Sequence, residues 1–219
     1  MIRFAVLASG TGSNFQALID AVQQGRIQAE LVGIISNNPD AYALQRAKQA
    51  GIRQQVIDHR LFADRESFEA EMIQVLQNWQ VDVILMAGFM RVLTANFVNR
   101  FSGQLINIHP SLLPAYKGLN TYARVLDTGD RLHGCTVHFV TPELDSGAAI
   151  AQSVMQVTPH DTLDSLKAKT HALEHELYPR IMGWIAAGRV ALLGNQAYLD
   201  GQALVEPVRF MHERLIKSL

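Results

Sequence analysis

Cysteine is nearly absent from this 219-residue chain: Cys135 is the only one. An internal disulfide is therefore excluded, and a reducing, cytoplasmic home is natural. Long hydrophobic runs are missing too, so nothing in the chain is built to cross a bilayer. The run Met1–Ala8 is too short for the apolar part of a signal peptide and lacks a basic prelude. Charge of one sign is also lacking. The net value of −1 argues against a broad electrostatic footprint for nucleic acid. What is present is a globular balance, 48% apolar and 18% charged residues, outside the range of disordered chains. A chain of this size buries roughly 70% of its unfolded surface, so it needs neither disulfide nor structural metal to fold. These features predict a cytoplasmic protein that works on small molecules and not on nucleic acid or membrane; they leave open whether it is a monomer or a homodimer.

The first half alternates strand-length apolar runs with amphipathic segments. Strands are expected at Arg3–Ala8, Glu30–Ser36, Arg53–Ile57, Val81–Ala87 and Gln104–Ile108. Helices are expected between them at Ser13–Gln24, Ala41–Ala50, Arg65–Trp79 and Thr94–Phe101. Such alternation predicts βαβ units: an α/β fold with an open, Rossmann-like, mostly parallel sheet flanked by helices. Gly25 and Gly51 stand where two helices should stop. After Pro114 the pattern changes to a helix near Thr121–Thr128, strands at His133–Val140 and Ala149–Gln156, and a long helix over about Leu163–Ala187. A candidate hairpin, Val190–Leu193 with Gln196–Leu199, follows. Strand following strand predicts antiparallel members in the C-terminal part. One domain over residues 1–219 is expected. Its parts would be a Rossmann-like half (1–110), a second half (111–200) and a C-terminal extension (201–219).

Three stretches carry candidate chemistry. In Asn107-Ile108-His109-Pro110 an amide and an imidazole project from one face at a strand's carboxyl end, where open α/β sheets bind ligands. Taken alone, the pair reads equally well as a turn cap and a half-buried histidine. The loop Ser9-Gly10-Thr11-Gly12-Ser13-Asn14 leads from the first strand into the first helix and could cradle a phosphate on free backbone N–H groups. It is neither a P-loop nor a dinucleotide fingerprint, since Phe15 stands at the third glycine and Ser36-Asn37-Asn38 offers no ribose-binding acid. A tight turn with Ser13 as helix N-cap is the alternative. Gly88-Phe89-Met90-Arg91-Val92-Leu93 could form an apolar slot with peptide edges for a flat heterocycle, although alone it reads more simply as a strand entering packed core. Asp145, in the turn Asp145-Ser146-Gly147, could orient His109, but an acid in a turn is usually turn chemistry.

In this order, the segments resemble the folate-dependent formyltransferases. Asn107-x-His109-Pro-Ser-Leu-Leu-Pro114 with a downstream Asp145 is specific for that superfamily. The first loop and Glu174–Pro179 narrow the likeness to members acting on a phosphoribosylglycinamide. The resemblance implies 10-formyltetrahydrofolate as co-substrate, no metal, and 5-phosphoribosylglycinamide as acceptor, in purine synthesis. It implies that Gly12, Ser13 and Asn14 hold the acceptor's phosphate and that Glu174 binds its glycinamide part. Met90, Arg91, Val92 and Leu93, with Asn107, would line the folate pocket, and Arg65 would face the donor's anionic side. Asn107 and a protonated His109 would stabilise the oxyanion while Asp145 keeps His109 charged.

Three positions depart from the family's pattern. Relatives often carry histidines where this chain has Asn120 and Tyr122. His171, one turn before Glu174, stands where relatives place Gln or Lys; it could touch the acceptor's phosphoribose or lie on the surface. His138 could stand behind the reacting residues or simply pack. A formyltetrahydrofolate deformylase would use similar residues with water as acceptor, but usually has an N-terminal regulatory domain before its first strand. A non-catalytic folate- or nucleotide-binding module of the same fold would be expected to have lost Asn107, His109 or Asp145, and all three are intact.

Overall fold

The computed structural model describes residues 1–212. In chain order its elements are β1 (Arg3–Leu7), α1 (Ser13–Gln23), β2 (Glu30–Ser36), α2 (Tyr42–Gln49), β3 (Gln54–Val56), α3 (Arg65–Asn78), β4 (Val83–Met86), α4 (Ala95–Arg100) and β5 (Leu105–His109). There follow α5 (Thr121–Thr128), β6 (Leu132–Phe139), β7 (Ala149–Gln156), α6 (Leu163–Ala186), β8 (Val190–Leu193), β9 (Gln196–Leu199), β10 (Gln202–Ala203) and β11 (Val208–Met211). The expected strands and helices are all present, with ends shifted by a residue or two. Gly25 and Gly51 take the left-handed conformation just past α1 and α2, as helix stops do.

Eight strands form one sheet in the order β11-β7-β6-β5-β4-β1-β2-β3. Only β6 runs against the rest, since β5–β6 and β6–β7 are antiparallel and every other pairing is parallel. The β6–β7 connection is too short for the crossover that a parallel pair needs. Strands β1, β2, β4 and β5 are largely buried on both faces because helices cover both. Along β1, Phe4 and Val6 enter a core shared with α1, α2 and α6, while Ala5 and Leu7 enter one shared with α3 and α4. That split is the two-residue period of a strand.

Two features of the C-terminal part differ from expectation. The hairpin β8–β9 forms but belongs to a separate three-stranded sheet with β10. The stretch expected to be a mere extension supplies β11, which pairs in parallel with β7 at the edge of the main sheet. Its four residues, Val-Arg-Phe-Met, are too few for periodicity to reveal. Residues 213–219 of the expected extension lie outside the described residues.

From β1 the chain passes first to β2 on one side and later to β4 on the other. The crevice at the carboxyl ends of β1 and β4 is thus a topological switch point, where such sheets bind ligands. Tyr178 of α6 is fully buried, and its hydroxyl donates to the Met86 and Ile106 carbonyls, both at 3.0 Å. That bond fixes α6 against the ends of β4 and β5, with Glu174 one turn earlier on the same helix face.

Candidate active site

The switch-point crevice opens into a cavity of about 770 Å³. Its walls include the Ser9–Asn14 loop, Phe89–Leu93, Asn107 and His109, the Gly118–Tyr122 stretch, His138, Asp145, and Lys167, His171 and Glu174 of α6. Seven stretches separate in sequence thus converge on one space.

At one end a polar network surrounds the tip of β5. His109 is buried, with its Nδ1 3.4 Å from Asp145 Oδ2 and its Nε2 3.0 Å from the Tyr116 carbonyl. Asp145 Oδ2 also accepts the Gly118 N–H at 2.9 Å. Asp145 itself sits in the left-handed region at φ 49°. Its turn can lie on β6 because residue 147 is glycine: a Cβ there would fall 1.9 Å from the Phe139 carbonyl oxygen. Asn107 lies directly opposite His138 in the β5–β6 pairing, and its Nδ2 is 3.2 Å from His138 Nε2. Acceptors at both ring nitrogens of His109 match a doubly protonated imidazole. A directed bond from His109 into the cavity would then require the Tyr116 contact to open.

The other end is built differently. Gly12 is the N-cap of α1 at φ 68°, and no side chain caps the helix. Ser13 is therefore the first helical residue and not the cap. The leading N–H groups of α1 lack a side-chain acceptor and stand free beside the cavity. A Cβ on Gly12 would lie 2.6 Å from the Ala43 Cβ, so only glycine lets the loop approach α2 this closely. Asn14 donates through Nδ2 to Glu174 Oε2 at 2.8 Å, while its buried Oδ1 has no partner. Burial pushes the Glu174 carboxyl up to about 7, opposed by the Asn14 hydrogen bond. A buried acid beside an unpaired amide oxygen offers two acceptors to a ligand that donates, such as an amine.

Between the ends, Met90 and Val92 stand exposed at the cavity wall and Leu93 is buried beneath them. Ser9 Oγ accepts the Met90 N–H at 2.8 Å, holding this segment near the first loop. Arg91 lines both the main cavity and a neighbouring one of about 290 Å³. Arg65 lines only that smaller cavity, with His59 and Phe68. Its place at the start of α3 keeps it outside the main crevice. Among the described residues no cluster of three or more His, Cys, Asp or Glu side chains is arranged to hold a metal ion, and no helix is long and apolar enough to cross a membrane.

A profile of the family described as formyl transferase matches residues 2–182. The chain belongs to the formyl transferase family. It is 46% identical over 204 residues to the phosphoribosylglycinamide formyltransferase of Haemophilus influenzae, covering 93% of this chain and 96% of that one. It is 49% identical over 188 residues to the trifunctional purine biosynthetic protein adenosine-3 of Drosophila melanogaster, covering 85% of this chain and 14% of that protein. The solved structure of the phosphoribosylglycinamide formyltransferase of Coxiella burnetii superposes with a TM-score of 0.93 at 45% identity, over 95% of this chain and 99% of that one. With relatives this similar over nearly its whole length, the chain is a formyl transferase of the phosphoribosylglycinamide branch.

Of the residues singled out from sequence, Gly12, Ser13, Asn14, Met90, Arg91, Val92, Leu93, Asn107, His109, Asp145, His171 and Glu174 line this formyl transferase's main cavity. Arg65 does not. Lys167 lines the cavity one turn before His171 and was not singled out; the α6 face running from Glu174 back through His171 points to it. The partnership of His138 with Asn107 was missed as well. It follows from the β5–β6 register, which no single-strand pattern reveals. Tyr122 packs edge-on against His133, ring centroids 5.7 Å apart. Burial, then the Glu174 charge, raises the Tyr122 hydroxyl.

Proposed function

We propose that this formyl transferase moves the formyl group of 10-formyltetrahydrofolate to the amine of 5-phosphoribosylglycinamide, as a step of purine biosynthesis in the cytoplasm. The observation that carries this reading is the convergence of three walls on one cavity: an uncapped helix start beside a buried acid, an apolar slot, and the Asn107–His109–Asp145 corner. The phosphate of the acceptor would take the N–H groups of Gly12, Ser13 and Asn14. Its glycinamide part would meet Glu174 and Asn14 Oδ1, with the amine directed towards the β5 tip. The pterin would lie along Met90–Leu93 and use their peptide edges. Arg91, reaching towards the smaller cavity where Arg65 lies, would face the donor's anionic tail.

In the reaction the amine nitrogen attacks the formyl carbon and forms the new C–N bond, while negative charge develops on the carbonyl oxygen. Breaking the bond to the folate nitrogen completes the transfer; the amine loses a proton and the folate nitrogen gains one. Asn107 supplies a directed N–H to the oxyanion. His109, held between Asp145 and the Tyr116 carbonyl, supplies a fixed positive charge in a site largely shielded from water. Preorganised donors and charges of this kind usually contribute more to the rate of acyl transfer than any other single effect. Asp145 holds His109 in place and would pass protons, through water, towards the leaving nitrogen.

The test is turnover of a 10-formyl folate with and without phosphoribosylglycinamide. Turnover that requires the acceptor and yields its formylated product is expected. Turnover without acceptor, releasing formate, would assign a deformylase instead.

A further inference from the structure

His138 is 2% exposed and sits on β6 opposite Asn107. Its two ring nitrogens face different partners. Nδ1 lies 2.8 Å from the Phe139 carbonyl, which can only accept, so Nδ1 carries the hydrogen. Nε2 lies 3.2 Å from Asn107 Nδ2, with Asp145 Oδ1 further away at 3.9 Å. The reverse tautomer would set a bare Nδ1 against a carbonyl oxygen. A charged ring would satisfy both sides, but burial holds His138 down at about 4, with the Phe139 carbonyl and Asp145 opposing and His109 adding to the shift. The neutral ring therefore presents a lone pair to Asn107, and only the amide's NH₂ group can answer it. With one N–H on His138, the second is left for the cavity, and the amide cannot turn its oxygen inward without facing that lone pair.

We infer that His138 is a positioning residue for formyl transfer: as an Nδ1–H imidazole it fixes the Asn107 amide so that an N–H, not the C=O, meets the developing oxyanion. This rests on the reading that Asn107 donates to that oxygen. The register supports it, because the two side chains are paired by backbone hydrogen bonding between β5 and β6 and not by a mobile loop.

The experiment has a part independent of catalysis. Nitrogen-15 spectra of histidine-labelled protein should show His138 as a neutral Nδ1–H ring with a hydrogen-bonded Nε2 from about pH 8 down to about 5.5. An Nε2–H tautomer, or a ring that is charged within that range, overturns the inference whatever the enzyme does. In kinetics, His138→Ala should lower kcat by about 10–100-fold, with KM for both substrates within about twofold of wild type. His138→Gln, which can present an acceptor oxygen near the Nε2 position, should recover most of that loss. In single turnovers, adding His138→Ala to Asn107→Ala should cost less than about twofold more, since residues acting as a unit are not additive. Full additivity, or a loss carried in KM, overturns the inference. A wild-type enzyme without formyl transfer would instead remove the proposed reaction and leave the spectra interpretable.

Discussion

The two ends of the cavity differ in how completely their polar groups are satisfied. At the β5 tip each polar side chain is held by a neighbour: Asn107 by His138, His109 by Asp145 and Tyr116, Asp145 by the Gly118 N–H. At the α1 end the helix start has no side-chain cap, Asn14 Oδ1 has no partner, and Glu174 is buried with a raised carboxyl. A satisfied network keeps its geometry before substrate arrives, which is what stabilising a transition state requires. Unsatisfied groups cost free energy until a ligand completes them, which is what selective binding requires. On the proposed function, one end is prepared for chemistry and the other for recognition.

If that contrast holds, substitutions at the two ends should damage different kinetic constants. The largest effect is expected at the prepared end. His109→Ala and Asp145→Ala should each lower kcat by about 10²–10³-fold while the circular dichroism spectrum stays native. Near-normal turnover in either variant would remove that residue from the mechanism.

At the recognition end, Glu174→Gln should raise the acceptor KM by about 10–100-fold, the scale of a lost charge-assisted hydrogen bond, and leave the folate KM unchanged. The same variant makes a stability prediction with a definite sign. Glu174 rises from its ordinary 4.5 to about 7 in the folded protein. Below pH 4.5 it is protonated folded or unfolded and costs nothing. Between 4.5 and 7 the folded state progressively loses stability, and above 7 the full penalty remains. Glu174→Gln should therefore stabilise the ligand-free protein by about 3 kcal/mol near pH 8 and leave it unchanged near pH 4, as read by denaturant melts.

Smaller effects sharpen the contrast. Gly12→Ala meets both the Ala43 Cβ and a left-handed backbone, so it should cost about 1–3 kcal/mol in thermal or denaturant melts. It should also weaken acceptor binding more than folate binding. Lys167 is exposed at the cavity wall. Lys167→Ala should raise the acceptor KM by only about two- to fivefold, and less in high salt, because an exposed charge is screened.

Much of this was legible in the sequence, for reasons specific to each element. Parallel strands buried on both faces leave continuous apolar runs, so β1, β2, β4 and β5 announce themselves, and the glycines after α1 and α2 mark their ends. Asn107 and His109 stand out because polar side chains at a strand's end are poor core material. The missed features depend on distant pairings. The joining of β11 to β7 is set by a partner more than fifty residues earlier in the chain. The bond between His138 and Asn107 depends on register between two strands. Gly12 rather than Ser13 stands at the N-cap of α1, left-handed and packed against Ala43, a contact that no local pattern shows.

The most direct test is acceptor-dependent formyl transfer measured side by side for wild type, Asp145→Ala and Glu174→Gln, with kcat and both KM values for each. The division between a prepared and a waiting end predicts that Asp145→Ala loses kcat at near-normal acceptor KM. Glu174→Gln should raise acceptor KM with kcat largely kept. Equal losses of kcat in both variants, or folate turnover that ignores the acceptor, would contradict it.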